Sequence, residues 1–135
     1  QGRPVDNRRR PGKRPMSSMA PLIVFENNQP VLAVGSPGGR TIPHFISRVL
    51  MASLFWGLPP EQSVAMPHLS IRGNRLVAER DSPIPWPFAL TELSRGEQEI
   101  KSQPLNSGIA LLQRIHGRWH GVADPRREGA AMALP

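Results

Sequence analysis

Two pairs of adjacent small residues carry the chemistry this chain offers. Ser17 and Ser18 stand in the stretch PGKRPMSSMAP, where two hydroxyls and the cations Lys13 and Arg14 precede an apolar run. Hydroxyls and backbone amides in such a loop hydrogen-bond a carboxylate. The same hydroxyls also serve local backbone groups, a common use of serine near a strand. A nucleophilic serine requires a general base, and none lies close in sequence. Gly38 and Gly39 stand in GSPGGRTIP. Without Cβ atoms their backbone bends sharply, and adjacent N–H groups approach an anion beside the positive end of a helix that starts near Thr41. That anion is either a bound phosphate or the transient oxyanion of acyl transfer. A plain strand-to-helix turn uses the same residues. The spacing to Arg40 and Thr41 is not that of a Walker-type phosphate loop.

The remaining candidate groups are weaker. His116 and His120 are four apart in HGRWH, but Gly117 and the alternating context place them on a hairpin with no acidic or thiolate third ligand close by, so no metal site is expected. His44 and His68 are isolated and read as surface or packing residues. Glu92, Glu97 and Glu99 lie in a polar segment and form no acid/base pair. Asp124 in DPRREG is placed to form a structural ion pair with Arg126 or Arg127. No cofactor motif is evident.

The elements that must position these groups follow from periodicity. PLIVF and PVLAV are short β-prone runs separated by ENNQ, a hairpin whose Asn27-Asn28 pair tolerates positive φ. Both are apolar on consecutive residues, which predicts a sheet covered on both faces. Ile42, Phe45, Ile46, Val49, Leu50 and Leu54 repeat at three- and four-residue steps, which predicts one long amphipathic helix. Thr41 suits its N-cap, Pro43 its first turn, and Gly57 with Pro59 and Pro60 its end. A shorter helix is expected over 60–66. LSIRGNRLVAE reads as a second hairpin and GIALLQRIHGRWHGVAD as a third, turning at His116-Gly117. SPIPWPF is too proline-rich for regular structure, and a short helix is expected over 88–95. The sum is an α+β layered domain.

Composition bounds the function. At 135 residues the chain has room for one core. Gly and Pro contribute 12 and 16 residues, which limits helix. The net charge of +7 is concentrated in residues 1–14, where Arg3, Arg8, Arg9, Arg10, Lys13 and Arg14 face only Asp6. Residues 1–15 therefore read as a basic, Pro-rich arm and 16–135 as the folded portion. There is no Tyr, and the other aromatics sit in apolar segments, so a nucleic-acid stacking platform is not evident. Cys is absent, which removes disulfide and thiolate chemistry. No apolar stretch is long enough to span a bilayer as a helix. The first residue is Gln1, which reads as an internal piece of a longer product.

Together, PGKRPMSSMAPLIV, AVGSPGGRTI and GVADPRREGAA resemble the C-terminal part of the small subunit of the γ-glutamyltransferase (γ-glutamyltranspeptidase) family, over about Pro11 to Ala131. The resemblance implies an N-terminal nucleophile hydrolase: a four-layer αββα sandwich, autocleaved into two subunits, with a Thr nucleophile opening the small one. It implies that Ser17 and Ser18 hydrogen-bond the α-carboxylate of a γ-glutamyl group, that Met19 lines the pocket, and that Gly38 and Gly39 donate N–H groups to the oxyanion. A glutathione-like substrate, a periplasmic or secreted location and the rest of the enzyme as partner are implied in the same way. The sequence departs from the family pattern in lacking the Thr-Thr-His-like opening and the groups that hold the substrate's α-amino group. Only Thr41 and Thr91 occur, residue 1 is Gln, and the family's Pro-Arg after the second helix is Pro67-His68. The chain is thus expected to hold part of a site, to be inactive alone, and to self-associate through sheet surface that the missing half would cover. A related amide acylase of the glutaryl or cephalosporin type, a catalytically dead relative, and a non-catalytic basic binding module are the other readings.

Overall fold

The structure, a computed structural model, describes residues 5, 7–86 and 100–133. The helix expected over 88–95, together with Thr91, Glu92, Glu97 and Glu99, lies outside the described residues. Strands β1 (Leu22–Glu26) and β2 (Gln29–Gly35) form the first hairpin. Asn27 and Asn28 take φ of 47° and 61°, the left-handed pair that a two-residue turn of the right twist demands. Strands β6 (Ala110–Ile115) and β7 (Arg118–Ala123) form the last hairpin, with His116 and Gly117 in the same conformation. The two hairpins join through β2 and β6 into an antiparallel sheet of order β1-β2-β6-β7.

Between them lie the helices and a second sheet. Helix α1 (Ile42–Leu50) turns Ile42, Phe45, Ile46 and Val49 inward, as their spacing requires. Pro43 occupies its first turn, but Thr41 is not the side-chain cap: its hydroxyl donates to the Gly38 carbonyl at 2.7 Å from a 3₁₀ turn over Gly39–Thr41. Beyond Leu50 the chain widens into a π-helical turn over Met51–Phe55, closed by Trp56 N–H to the Met51 carbonyl. The wider turn rotates the register, so Ala52 and Ser53 are buried while Leu54 faces out. Helix α2 (Pro60–Ala65) follows, then β3 (Leu69–Arg72), β4 (Arg75–Glu79) and β5 (Ile100–Gln103) in a three-stranded sheet. β3 and β4 pair antiparallel around Gly73, while β5 adds to β4 in parallel.

The core lies between the helices and one face of the four-stranded sheet. Leu32 and Val34 of β2, Leu111 of β6, the inner face of α1 and Val64 of α2 meet Val77, Leu105 and Ile109 there. Each buried aliphatic side chain of this kind contributes about 1.5–3 kcal/mol. The opposite face is open, contrary to the expectation that both would be covered. Ile23, Phe25, Leu112 and Trp119 are 50–60% exposed on it. The consecutive apolar residues of β1 alternate between core and open face, so the run reports a second apolar surface that no described element buries. Among the described residues no helix is long and apolar enough to cross a membrane.

Candidate active site

The serine loop and the diglycine turn meet. Ser18 Oγ donates to the Gly39 carbonyl at 2.6 Å, across 21 positions of sequence. Ser17 Oγ accepts from Met19 N–H at 3.2 Å, folding the loop back on itself. Ser17 and Met19 are exposed and Ser18 is half-buried. The local serine–backbone bond read from sequence is therefore present at Ser17, whereas Ser18 makes a long-range bond that ties the two candidate segments together. Met19 is 77% exposed.

Gly38 adopts φ 141° and Gly39 φ 58°, conformations that admit glycine with little cost and other residues only under strain. Their carbonyls are engaged from inside: Gly38 O accepts from Thr41 N–H and its hydroxyl, and Gly39 O accepts from Ser18 Oγ and Ile42 N–H. The N–H groups of both glycines find no acceptor among the described residues. Two adjacent, unspent donors in a turn whose carbonyls are fixed are an arrangement that can receive an anion.

Three contacts hold the turn. The Phe45 ring fills the space where a Cβ on Gly38 would sit, and it packs on the His68 ring with centroids 4.1 Å apart. Pro37 lies against Gly108, whose N–H donates to Ser36 Oγ at 3.3 Å. Arg127 Nε donates to the Ser107 carbonyl at 2.8 Å, beside the same glycine.

Behind these contacts lies a buried polar network that sequence reasoning did not assemble. Arg48 Nε donates to His68 Nδ1 at 3.0 Å, so the ring proton sits on Nε2 and donates to Ser107 Oγ at 2.7 Å. The Ser107 hydroxyl donates in turn to Asp124 Oδ2, which also accepts from Ile109 N–H. Asp124 Oδ1 accepts from Arg126 Nη1 at 3.0 Å, and Arg126 grips both oxygens of Glu79 at 2.5 and 2.8 Å. Arg48 and Arg126 spend their other donors on the carbonyls of residues 63–66 at the end of α2. Those are the carbonyls a helix leaves without partners.

The electrostatics follow from burial. His68 is fully buried, and desolvation with the charges of Arg48 and Arg126 pushes its pKa down to about 2, so the ring is neutral. Burial and the Arg126 charge bring Arg48 down to about 10. Burial alone would raise Asp124, but the hydrogen bonds from Ser107, Arg126 and Ile109 and the Arg126 charge outweigh it and hold the carboxyl below its ordinary value. Burial likewise opposes the Arg126 charge, and the Glu79 carboxylate overrides it and raises the guanidinium pKa. A serine, a histidine and a carboxylate are in line here, yet the hydroxyl stands between ring and carboxylate, and all three are buried. This is a framework for the turn, not a nucleophile. The ion pair read from DPRREG is the Asp124–Arg126 one. Arg127 binds backbone instead. His116 and His120 lie exposed on the last hairpin, and the described residues contain no cluster that could hold a metal.

The family model described as Gamma-glutamyltranspeptidase matches residues 3–134. The chain belongs to the γ-glutamyltranspeptidase family. The "Glutathione hydrolase proenzyme" of Bacillus subtilis strain 168 is 31% identical over 131 residues, which is 95% of this chain and 22% of that protein. The chain thus spans about a fifth of the length of this curated relative. Among solved structures, the γ-glutamyltranspeptidase of Pseudomonas nitroreducens complexed with L-DON superposes with a TM-score of 0.81 at 26% identity, over 93% of this chain and 67% of that one. The cephalosporin acylase of Bacillus halodurans superposes with a TM-score of 0.78 at 24% identity, over 93% of this chain and 24% of that one, a likeness of fold. The α+β architecture is that of the N-terminal nucleophile hydrolases of the γ-glutamyltranspeptidase family.

Proposed function

We propose that this chain supplies the carboxylate-binding and oxyanion-stabilising groups of a γ-glutamyl transferase or hydrolase, and that the nucleophile comes from polypeptide outside these 135 residues. The observation that carries the reading is the bond from Ser18 to the Gly39 carbonyl, which draws the hydroxyl loop to a turn with two unspent N–H donors. In this reading Ser17 and Ser18 hold the α-carboxylate of a glutathione-like γ-glutamyl compound and Met19 flanks it. Attack on the γ-amide carbonyl then places negative charge on its oxygen, and Gly38 and Gly39 N–H groups receive it. One such donor is worth about 10²–10³ in rate. The acyl-enzyme passes to water or to an amino-acid acceptor. Thr41 does not serve as nucleophile, because it is buried and its hydroxyl is committed to Gly38. The chain alone is inactive in this reading, with the rest of the enzyme as its partner and a periplasmic or secreted location.

The test uses the full-length protein that contains this chain, offered γ-glutamyl and glutaryl anilides. Release of anilide from the γ-glutamyl compound at the higher kcat/KM is the expected result. Preference for the glutaryl compound would instead place the protein with the amide acylases, the reading favoured by the fold shared with cephalosporin acylase. Turnover of neither would reject catalysis.

A further inference from the structure

The turn before α1 and the end of the β3–β4 hairpin enclose a hollow of about 500 Å³, lined by Arg40, Thr41, Ser70, Ile71, Arg72 and Gly73. It is apart from the Ser17–Ser18 loop, none of whose residues line it. Ser70 and Arg72 are two apart on β3 and therefore share a face. Ser70 is only 1% exposed, and its Oγ is buried with no hydrogen-bond partner among the described residues. An unpaired buried hydroxyl costs about 1–3 kcal/mol, a cost that a ligand acceptor in the hollow removes. Arg40 and Arg72 are exposed, and neither pairs with a carboxylate among the described residues, in contrast to Arg126. Among the described residues no acidic one lines the hollow. The turn at Arg40 and Thr41, both of which line the hollow, leads directly into the nine residues of α1.

We propose that this hollow binds a small oxyanion, of phosphate or carboxylate type, between the guanidinium groups of Arg40 and Arg72 with the Ser70 hydroxyl donating at its buried end. The arrangement combines two charges in the open with one neutral donor inside. Such a site selects a compact anion with several acceptor oxygens over chloride. It stands independently of the acyl-transfer reading, because none of its argument uses the diglycine N–H groups or the serine loop.

The experiment titrates inorganic phosphate, and separately acetate, into the full-length protein at low ionic strength by calorimetry. Saturable binding of one equivalent is expected, weakened about tenfold or more by Arg40→Ala and by Arg72→Ala, as for hydrogen bonds to a charged group. Competition by acetate assigns the site to carboxylates, and binding of phosphate alone assigns it to phosphate groups. Ser70→Ala adds a readout that a merely structural serine would not give: the thermal midpoint is unchanged or higher in anion-free buffer, and the anion raises it less than in the parent. Absence of saturable binding of both anions overturns the proposal. So does binding that survives the Arg40→Ala/Arg72→Ala double substitution, which would move it to the basic arm.

Discussion

The Phe45 ring stands where Gly38 would carry a side chain: a Cβ built on Gly38 lies 2.6 Å from Phe45 Cε2. The ring cannot retreat, because it is 1% exposed and packed against His68. Gly39, one residue on, has nothing within 4 Å of the equivalent position. The two glycines therefore differ in what they tolerate. Gly38→Ala combines backbone strain with overpacking and should cost about 2–5 kcal/mol. Gly39→Ala meets only the left-handed backbone penalty, about 1 kcal/mol. Urea unfolding of the two variants checks this, and equal losses would show that the ring does not set the turn.

Ser17 and Ser18 should separate kinetically in the full-length protein. The Ser18 hydroxyl has one proton and donates it to Gly39 O, with the two oxygens 2.6 Å apart. On the proposed function, donation to a substrate carboxylate redirects that proton and frees the Gly39 carbonyl, which couples carboxylate binding to the diglycine turn. Ser17 accepts from Met19 N–H and has its proton to give. Ser17→Ala should raise KM about tenfold with kcat nearly unchanged, the loss of one hydrogen bond to a charged group. Ser18→Ala should raise KM and lower kcat as well. Identical effects on both constants in the two variants would remove the coupling between the loops.

His68 should make the fold acid-sensitive. The folded ring stays neutral down to about pH 2 because of burial and the neighbouring guanidinium charges, whereas an unfolded histidine takes its proton near 6.5. Between those values the unfolded chain binds more protons, so stability falls as pH is lowered from about 6.5, by up to roughly 1.4 kcal/mol per pH unit. Asp124, whose carboxyl is held below its ordinary value, adds a loss in the same direction at pH below its unfolded value of 3.8. Denaturant titrations between pH 4.5 and pH 7 isolate the histidine. His68→Gln should be less stable at pH 7, since Arg48 loses its ring acceptor, and should show a flatter slope. An unchanged slope would mean that another group carries the dependence.

Much of the architecture is local and was legible for that reason. Asn27-Asn28 and His116-Gly117 announce hairpins because positive φ at a turn is a property of the residues themselves. The spacing of Ile42, Phe45, Ile46 and Val49 announces α1 in the same way. The π-turn after Leu50 was not legible, because a continuing three-four period gives no warning of one wider turn. The polar network was least legible of all. Ser107 meets His68 across 39 positions and Arg126 meets Glu79 across 47, and nothing in either residue's neighbours names its partner. Of that network only Asp124 with Arg126, two apart, could be read. The approach of Ser18 to Gly39 was legible in outline, since the β1–β2 hairpin returns the chain to the loop before β1, but the bond itself was not, because hydroxyls and glycines in loops do not specify one another.

The open face of the four-stranded sheet should drive the isolated chain to associate. Ile23 pairs with Ala33, Ala33 with Leu112, and Leu112 with Gly121, so one row of that face crosses all four strands. Along it only small residues separate Ile23 from Leu112, and residues 130–133 line the adjoining apolar trough near Gly121. With Phe25 and Trp119 also exposed, the face presents large apolar side chains beside one cation, Arg114 opposite Trp119, and β1 and β7 are the outer strands among the described residues. Sedimentation of the 135-residue chain should therefore show mass rising with concentration. Phe25→Lys with Leu112→Glu should return it to a monomer at little cost in thermal stability, because neither side chain belongs to the buried core. A strict monomer at high concentration would overturn this expectation.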